Sequence, residues 1–316
     1  MTSLLDEAGH VPVLLQEVLS GLMPRPGQRF IDGTVGAGNH TMALLDESAP
    51  DGQVLALDAD PHAVQQVQQR LRDYGDRVQV VNVNFSEMAT VARQHSFVPV
   101  DGILLDLGFS SVQLASPGRG FSFSTEDRLD MRYDPAQSTT ASYLVNNLEQ
   151  SELADLLYQF GEERRSRAVA RAIVAARPVE STTQLARIVA RAVGGKRGKI
   201  HPATKTFQAL RIAVNDELGS LQTVLPAAVN LLASGGRLAV ISFHSLEDRI
   251  VKHFFRREAS DCICPPEQPV CTCSHQATLH IITQKPISAS PQEIAANPRA
   301  RSAKLRIAQR KEYGEG

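Results

Sequence analysis

A chain of 316 residues with 42% hydrophobic and 21% charged side chains has an ordinary globular composition, long enough for one large domain or a domain with a sizeable insertion. Its 33 Lys and Arg are offset by 34 Asp and Glu, which excludes a global basic field as the source of any nucleic-acid affinity and leaves only a local patch. No apolar stretch approaches the length of a membrane span, and MTSLLDEAGHVPVLLQEVL lacks the basic start and cleavage site of a signal peptide, so a cytoplasmic location is expected.

Apolar, β-rich runs predict strands at 29–34 (RFIDGT), 53–60 (QVLALDAD), 77–85 (RVQVVNVNF) and 100–108 (VDGILLDLG), with helical stretches between them. The order is βαβαβαβ. The near-continuous apolar runs VLAL and ILL suit strands buried on both faces of a parallel sheet. Directly after the first strand, FIDGTVGAGNH places Gly33, Gly36 and Gly38 within six positions. Glycine accepts positive φ and lets backbone approach a ligand closely, so this turn is expected to wrap tightly around something. Its GxxGxG spacing is not the dinucleotide fingerprint GxGxxG.

A fifth strand, GRLAVISF at 236–243, follows only after a long stretch of different character. That stretch opens with RGFSFSTEDRLDMRYD and turns helical in ERRSRAVARAIVAAR and TTQLARIVARAV, the pattern of an insertion. In the first of these helices Ala168, Val169, Ala172, Ile173 and Ala176 share a face, beside a strip of Arg164, Arg167 and Arg171 that leads toward the basic loop GGKRGK. From Gly161 to Arg211, twelve Lys or Arg face three Glu, a balance of +9; with a net charge of −1 for the chain, the remainder carries −10. The patch reads either as a solvated face or as an RNA-binding surface. Phe121, Phe123 and Tyr133 could stack on nucleotides there or be buried in the insertion. Beyond the fifth strand, Ser245 to Asp248 (SLED) has capping-box form and opens a helix whose Ile250, Val251, Phe254 and Phe255 make a core stripe. TLHIITQKP and SAKLRIAQR would complete a seven-stranded sheet.

Open α/β sheets bind ligands at the carboxyl ends of their strands, and four such ends carry polar or aromatic groups: Asp32 with its glycine turn, Asp58, Phe85 and Asp106. Asp58 lies twenty residues after Gly38, the place of the acid that hydrogen-bonds ribose hydroxyls in nucleotide-binding sheets, so an adenosine-containing cofactor is expected. The glycine spacing, the absent GxGxxG and the two trailing strands favour S-adenosylmethionine over a nicotinamide cofactor. A dehydrogenase on the same kind of sheet is the rival reading. His40 opens the next helix as either a cofactor contact or a structural residue.

The blocks HVPVLLQEVL, IDGTVGAGNH, DGILLDLGFSS, RGFSF, LDMRYDP, HPATKTFQALRIAVNDEL, ISFHSLEDRIVK and NPRARSAKLRIAQR, in this order over about residues 10 to 310, resemble the bacterial ribosomal RNA small-subunit methyltransferase H family, also called MraW. The resemblance implies a Rossmann-like class I methyltransferase with a seven-stranded mostly parallel sheet and an inserted helical domain. It implies methylation, from S-adenosyl-L-methionine, of the N4 amine of a cytidine in the decoding centre of 16S ribosomal RNA. Matched by motif, cofactor contacts fall on Gly38, Asn39, His40, Asp58, Phe85, Asp106 and Gln113. An acceptor for the amine hydrogens would be Asp106 or a backbone carbonyl of the Leu107 to Ser111 loop, since this strand end should sit beside the methyl group, although Asp106 could equally serve the cofactor alone. The turn reads GNH where the family pattern has GGH, and Val112 stands where Pro is common. The expected division is 1–113 and 216–316 for the cofactor-binding domain and 114–215 for a helical RNA-recognition domain. The expected partner is 16S ribosomal RNA or the small subunit, with no membrane and a homodimer left open. Finally, CICPPEQPVCTC gathers all four cysteines of the chain, Cys262, Cys264, Cys271 and Cys273, into twelve residues. In a cytoplasmic protein such clustering suggests thiolates around zinc more than disulfides, although C-x-C is tighter than the usual C-x-x-C, and no metal site is assigned on spacing alone.

Overall fold

The computed structural model describes residues 12–109, 113–114, 117–195, 201–265, 267–268 and 270–312. It divides into two compact units, Met1–Gly108 with Gly219–Gly316, and Phe109–Leu218. Lys196, Arg197 and Lys199 of the basic loop lie outside the described residues, as do Ser110, Ser111 and Val112.

The first unit holds seven strands: β1 (Arg29–Asp32), β2 (Gln53–Asp58), β3 (Val78–Asn82), β4 (Val100–Asp106), β5 (Leu232–Ser242), β6 (Leu279–Ile281) and β7 (Lys304–Arg310). They form one sheet in the order β3-β2-β1-β4-β5-β7-β6. Pairing is parallel from β3 through β5, and β7 runs antiparallel to both of its neighbours. Helices α1 (Leu15–Leu22), α2 (Asn39–Glu47), α3 (Pro61–Arg70) and α4 (Met88–Gln94) precede the second unit. Along β2, Val54 and Ala56 belong to one core with Phe30, Leu104, Ile241 and Val18, while Leu55 and Leu57 belong to the other with Ile31, Leu105 and Val240. Both faces of the sheet are therefore covered, which is why VLAL cannot alternate with polar residues. Each fully buried Leu or Val contributes about 1.5–3 kcal/mol relative to exposure.

The second unit is helical: α5 (Ala141–Asn147), α6 (Gln150–Gly161), α7 (Ser166–Ala175), α8 (Thr182–Ala192) and α9 (Thr204–Asn215) enclose a core that includes Leu144, Leu157, Val169, Ile173, Leu185, Val189, Phe207 and Leu210. The buried face of α7 is Ser166, Val169, Ala170 and Ile173, a rotation from the apolar face read in the sequence, with Ala168, Ala172 and Ala176 only half-buried. The cause is tertiary, because α7 packs against both α6 and α8 and so buries Ala170 as well. Arg164, Arg167 and Arg171 are exposed. The aromatic residues pack on one another: Phe121 stacks between Phe109 and Tyr133 at centroid distances of 5.8 and 5.7 Å, and Phe123 packs on His201 and Phe207. Phe121 is buried, while Phe123 and Tyr133 are half-buried against the same core.

Three helices follow, α10 (Glu217–Leu231), α11 (Ser245–Glu258) and α12 (Pro291–Ala296). On α11, Val251 and Phe255 are buried and Ile250 and Phe254 pack against the same core, as the stripe predicts. The capping box sits one residue earlier than SLED suggests. His244, in extended conformation, accepts the Glu247 N–H on its ring at 3.4 Å, and the Glu247 carboxylate accepts the His244 N–H at 3.2 Å. Ser245 is already the first helical residue, so its hydroxyl cannot serve as the cap.

Candidate active site

Strand register creates the site. Asp32, the last residue of β1, pairs with Ala56 on one side and Leu104 on the other. Asp58 and Asp106 therefore project two residues further along the flanking strands β2 and β4. The sheet order reverses between β1 and β4, and the crevice at the carboxyl ends of such strands is where open α/β sheets bind ligands.

The glycine turn is tied to both flanking strands. Gly33 N–H donates to Leu104 O at 2.9 Å and Val35 N–H donates to Leu57 O at 2.8 Å. A Cβ at Gly33 would stand 2.6 Å from Leu105 Cδ2 and 2.8 Å from Met88 Cε, so a side chain there would have to displace the ends of both. Gly38, with φ of +83°, takes the left-handed position that precedes α2. The turn thus brings Asn39, His40 and Thr41 onto buried positions of that helix.

Asp58 is bound into the same turn. Its Oδ2 accepts the Gly36 N–H and its Oδ1 the Asp60 N–H, both at 2.9 Å. Each oxygen keeps a further lone pair for a ligand hydroxyl. Asp60 in turn caps α3 by accepting the His62 N–H at 3.0 Å. Asp32 is 1% exposed and accepts from Thr34 N–H and Thr41 Oγ1. The Asp106 N–H donates to Thr34 Oγ1 at 2.6 Å, whereas its Oδ1 is buried without a hydrogen-bond partner among the described residues. Asn39 Oδ1 is likewise buried and unpartnered there.

Burial pushes all three carboxyls up: Asp32 to about 6, Asp58 to about 6 against the pull of the Asp60 and Gly36 N–H donors, and Asp106 to about 7. For Asp106 the nearby charge of Asp32 adds to the rise and Arg299 tempers it. Burial lowers His40 to about 4, so its ring is neutral at pH 7. Its Nε2 meets the Val13 carbonyl at 3.1 Å and must therefore carry the hydrogen, leaving the Nδ1 lone pair 3.8 Å from Asp106 Oδ2. The carboxyls at three strand ends offer acceptors for ligand hydroxyls and, where ionised, attract positive charge. S-adenosylmethionine carries both ribose hydroxyls and a cationic sulfur, and so suits this set of groups.

The structure thus brings together Gly38, Asn39, His40, Asp58 and Asp106. Phe85 opens a short turn after β3, with its Cβ 3.4 Å from where a Cβ on Gly33 would stand. Gln113 is buried and belongs to the second unit. Sequence reading did not single out Thr34 or Thr41, whose hydroxyls orient the Asp106 backbone and the Asp32 carboxylate. The signal was the position of two threonines around a turn already known to lie at the site.

The antiparallel β7 between β5 and β6, the acid ending β2 and the glycine turn after β1 define a Rossmann-like class I methyltransferase, the fold class of S-adenosylmethionine-dependent enzymes. The chain belongs to the MraW methylase family, whose profile matches residues 7–311. It is 51% identical over 311 residues to the Ribosomal RNA small subunit methyltransferase H of Dehalococcoides mccartyi, covering 98% of this chain and 89% of that one. It is 54% identical over 304 residues to the protein of the same name from Thermomicrobium roseum, covering 95% and 93%. No helix among the described residues is long and apolar enough to cross a membrane.

Proposed function

We infer that this chain transfers a methyl group from S-adenosylmethionine to the N4 amine of a cytidine in the decoding centre of 16S ribosomal RNA, acting in the cytoplasm on the RNA or the small subunit. The observation that carries the reading is the set of carboxyls at the ends of β1, β2 and β4 around the glycine turn, in a chain about half identical to relatives that bear the name small subunit methyltransferase.

When bound, S-adenosylmethionine supplies a methyl group already activated on a cationic sulfur. Asp58 holds the ribose hydroxyls with the lone pairs that Gly36 and Asp60 leave unused. The backbone at Gly38, with Asn39 and His40 at the start of α2, lines the same turn, and Phe85 completes the proposed contacts of the first unit. The cytosine amine is a weak nucleophile because its lone pair is delocalised into the ring, so positioning supplies much of the rate, on the order of 7 to 11 kcal/mol in the best cases. In its ionised form Asp106 accepts an amine hydrogen at Oδ1 and helps the nitrogen localise its lone pair; the His40 ring beside it is neutral and adds no positive charge to compete for that carboxylate. The target base must be unstacked or presented single-stranded. The basic second unit, with Arg164, Arg167 and Arg171 exposed along α7, binds the RNA backbone.

The test is methyl transfer itself. Tritium-labelled S-adenosylmethionine should label immature small subunits, and mass spectrometry of nuclease fragments should place the label on one cytidine amine. Stabilisation by NAD in place of S-adenosylmethionine, or label on another nucleotide, would overturn the reading.

A further inference from the structure

Between the end of α11 at Glu258 and the start of β6 at Leu279 the chain forms neither helix nor strand among its described residues. The base of this segment is closed. Thr278 N–H donates to Glu258 O at 2.8 Å, Thr278 Oγ1 donates to Glu258 Oε2 at 2.9 Å, Ala277 N–H donates to Asp261 Oδ1 at 3.1 Å, and His275 Nε2 donates to Arg257 O at 3.1 Å. Its tip has no apolar core of its own: Ile263 and Val270 are 40% and 69% exposed. A loop of this length in a compact fold needs some other source of order.

That source is visible in the cysteines. The Sγ atoms of Cys262, Cys264, Cys271 and Cys273 all lie within 4.8 Å of one another. Cys271 and Cys273 are separated by 3.6 Å, and Cys273 and Cys262 by 3.9 Å. A tetrahedron with Zn–S arms of about 2.3 Å has edges of about 3.8 Å, so these separations match the ligand spacing of a four-thiolate zinc ion and are far longer than the roughly 2.05 Å of a disulfide. Backbone N–H groups also point at sulfur: Ile263 at Cys273, Cys264 at Cys262, and Thr272 at Cys264, at 3.4, 3.4 and 3.5 Å. Such donors stabilise thiolate charge around a metal, as outer-shell groups do. The two C-x-C pairs thus enter the cluster from opposite arms of the loop. A surface cluster of four unpaired thiols otherwise has no evident role in the fold.

We propose that Cys262, Cys264, Cys271 and Cys273 bind one zinc ion in a closed tetrahedral site that orders the 259–278 loop. Four protein ligands leave no open coordination position, so the ion is structural and takes no part in methyl transfer.

The full-length protein, purified under reducing conditions without chelator, should carry one zinc per chain by elemental mass spectrometry. A mercurial reagent that caps thiols should release that zinc. Refilling with cobalt should give a thiolate-to-metal charge-transfer band together with the intense visible bands of tetrahedral cobalt. A variant with Cys271→Ser and Cys273→Ser should lose the metal and be cleaved by thermolysin within 259–278 at least about tenfold faster, while keeping its affinity for S-adenosylmethionine. Protein with well under one zinc per chain whose cobalt titration yields no charge-transfer band would overturn the proposal. So would stoichiometric iron, or zinc retained in full by the double variant. The cobalt and mercurial measurements use the wild-type chain, so the answer does not depend on the variant folding.

Discussion

Asp106 has one oxygen without a hydrogen-bond partner among the described residues, while burial and the charge of Asp32 lift its pKa from 3.8 to about 7. An acid that binds protons more tightly when folded adds its full stability below about pH 4, and that contribution is lost as pH rises through about 7. Asp106→Asn should therefore raise the melting temperature of the ligand-free protein at pH 8, by the equivalent of about 2 kcal/mol once partial exposure of the side chain is discounted, and leave it unchanged near pH 4. The same change should lower methyl transfer by roughly 10²-fold or more if this carboxylate accepts the amine hydrogen. Equal melting curves at pH 8 would show that the carboxyl carries no burial cost. At Asp58 the proposed contact to the ribose hydroxyls sets the expectation: if that charge-assisted hydrogen bond is made, Asp58→Ala removes about 1.5 to 3 kcal/mol of it, and S-adenosylmethionine should bind roughly tenfold more weakly or worse by calorimetry. Both acids were legible in the sequence because strand ends are fixed points of the fold. The threonines that hold them were not, since a hydroxyl finds its partner only once two strands are side by side.

Elements were legible to the extent that local pattern decides them. The four early strands and the two that close the sheet follow from runs of apolar residues whose neighbours on both faces are helices, and their order along the chain survives in the structure. Where a face is chosen by a neighbour, local pattern falls short: α7 turns toward Ala170 because α6 and α8 flank it. The His244 cap was hidden for a related reason, as the serine beside it is the commoner capping residue and only the backbone angles at His244 show which residue stands outside the helix. Gly161, the last residue of α6, makes the closeness of such packing measurable. A Cβ there would stand 2.6 Å from Lys205 O and 3.3 Å from Ala209 Cβ on α9. Gly161→Ala should force the two helices apart and cost about 1–3 kcal/mol, read as a lower melting temperature with S-adenosylmethionine affinity retained. A melting temperature equal to wild type would mean that α6 and α9 separate freely.

At the scale of the whole molecule the charges are partitioned. The stretch from Gly161 to Arg211 carries +9 in a chain whose net charge is −1, and within it Arg164, Arg167 and Arg171 are exposed on or beside α7. This stretch is the strongest concentration of positive charge in the chain, and on the proposed reading each phosphate contact there would release condensed counterions. Replacing the three arginines by alanine should therefore weaken RNA binding and flatten the slope of log affinity against log salt by roughly 0.7 per lost single-strand contact, about 2 in all. Affinity for S-adenosylmethionine should stay at the wild-type value, because none of the proposed cofactor contacts is among these arginines. Parallel salt titrations on wild type and variant separate a phosphate-binding face from a merely solvated one. If affinity and slope both matched wild type, the arginines would serve only solubility, and the RNA contacts would fall to Lys196, Arg197 and Lys199, where the same substitution and the same slope measurement apply.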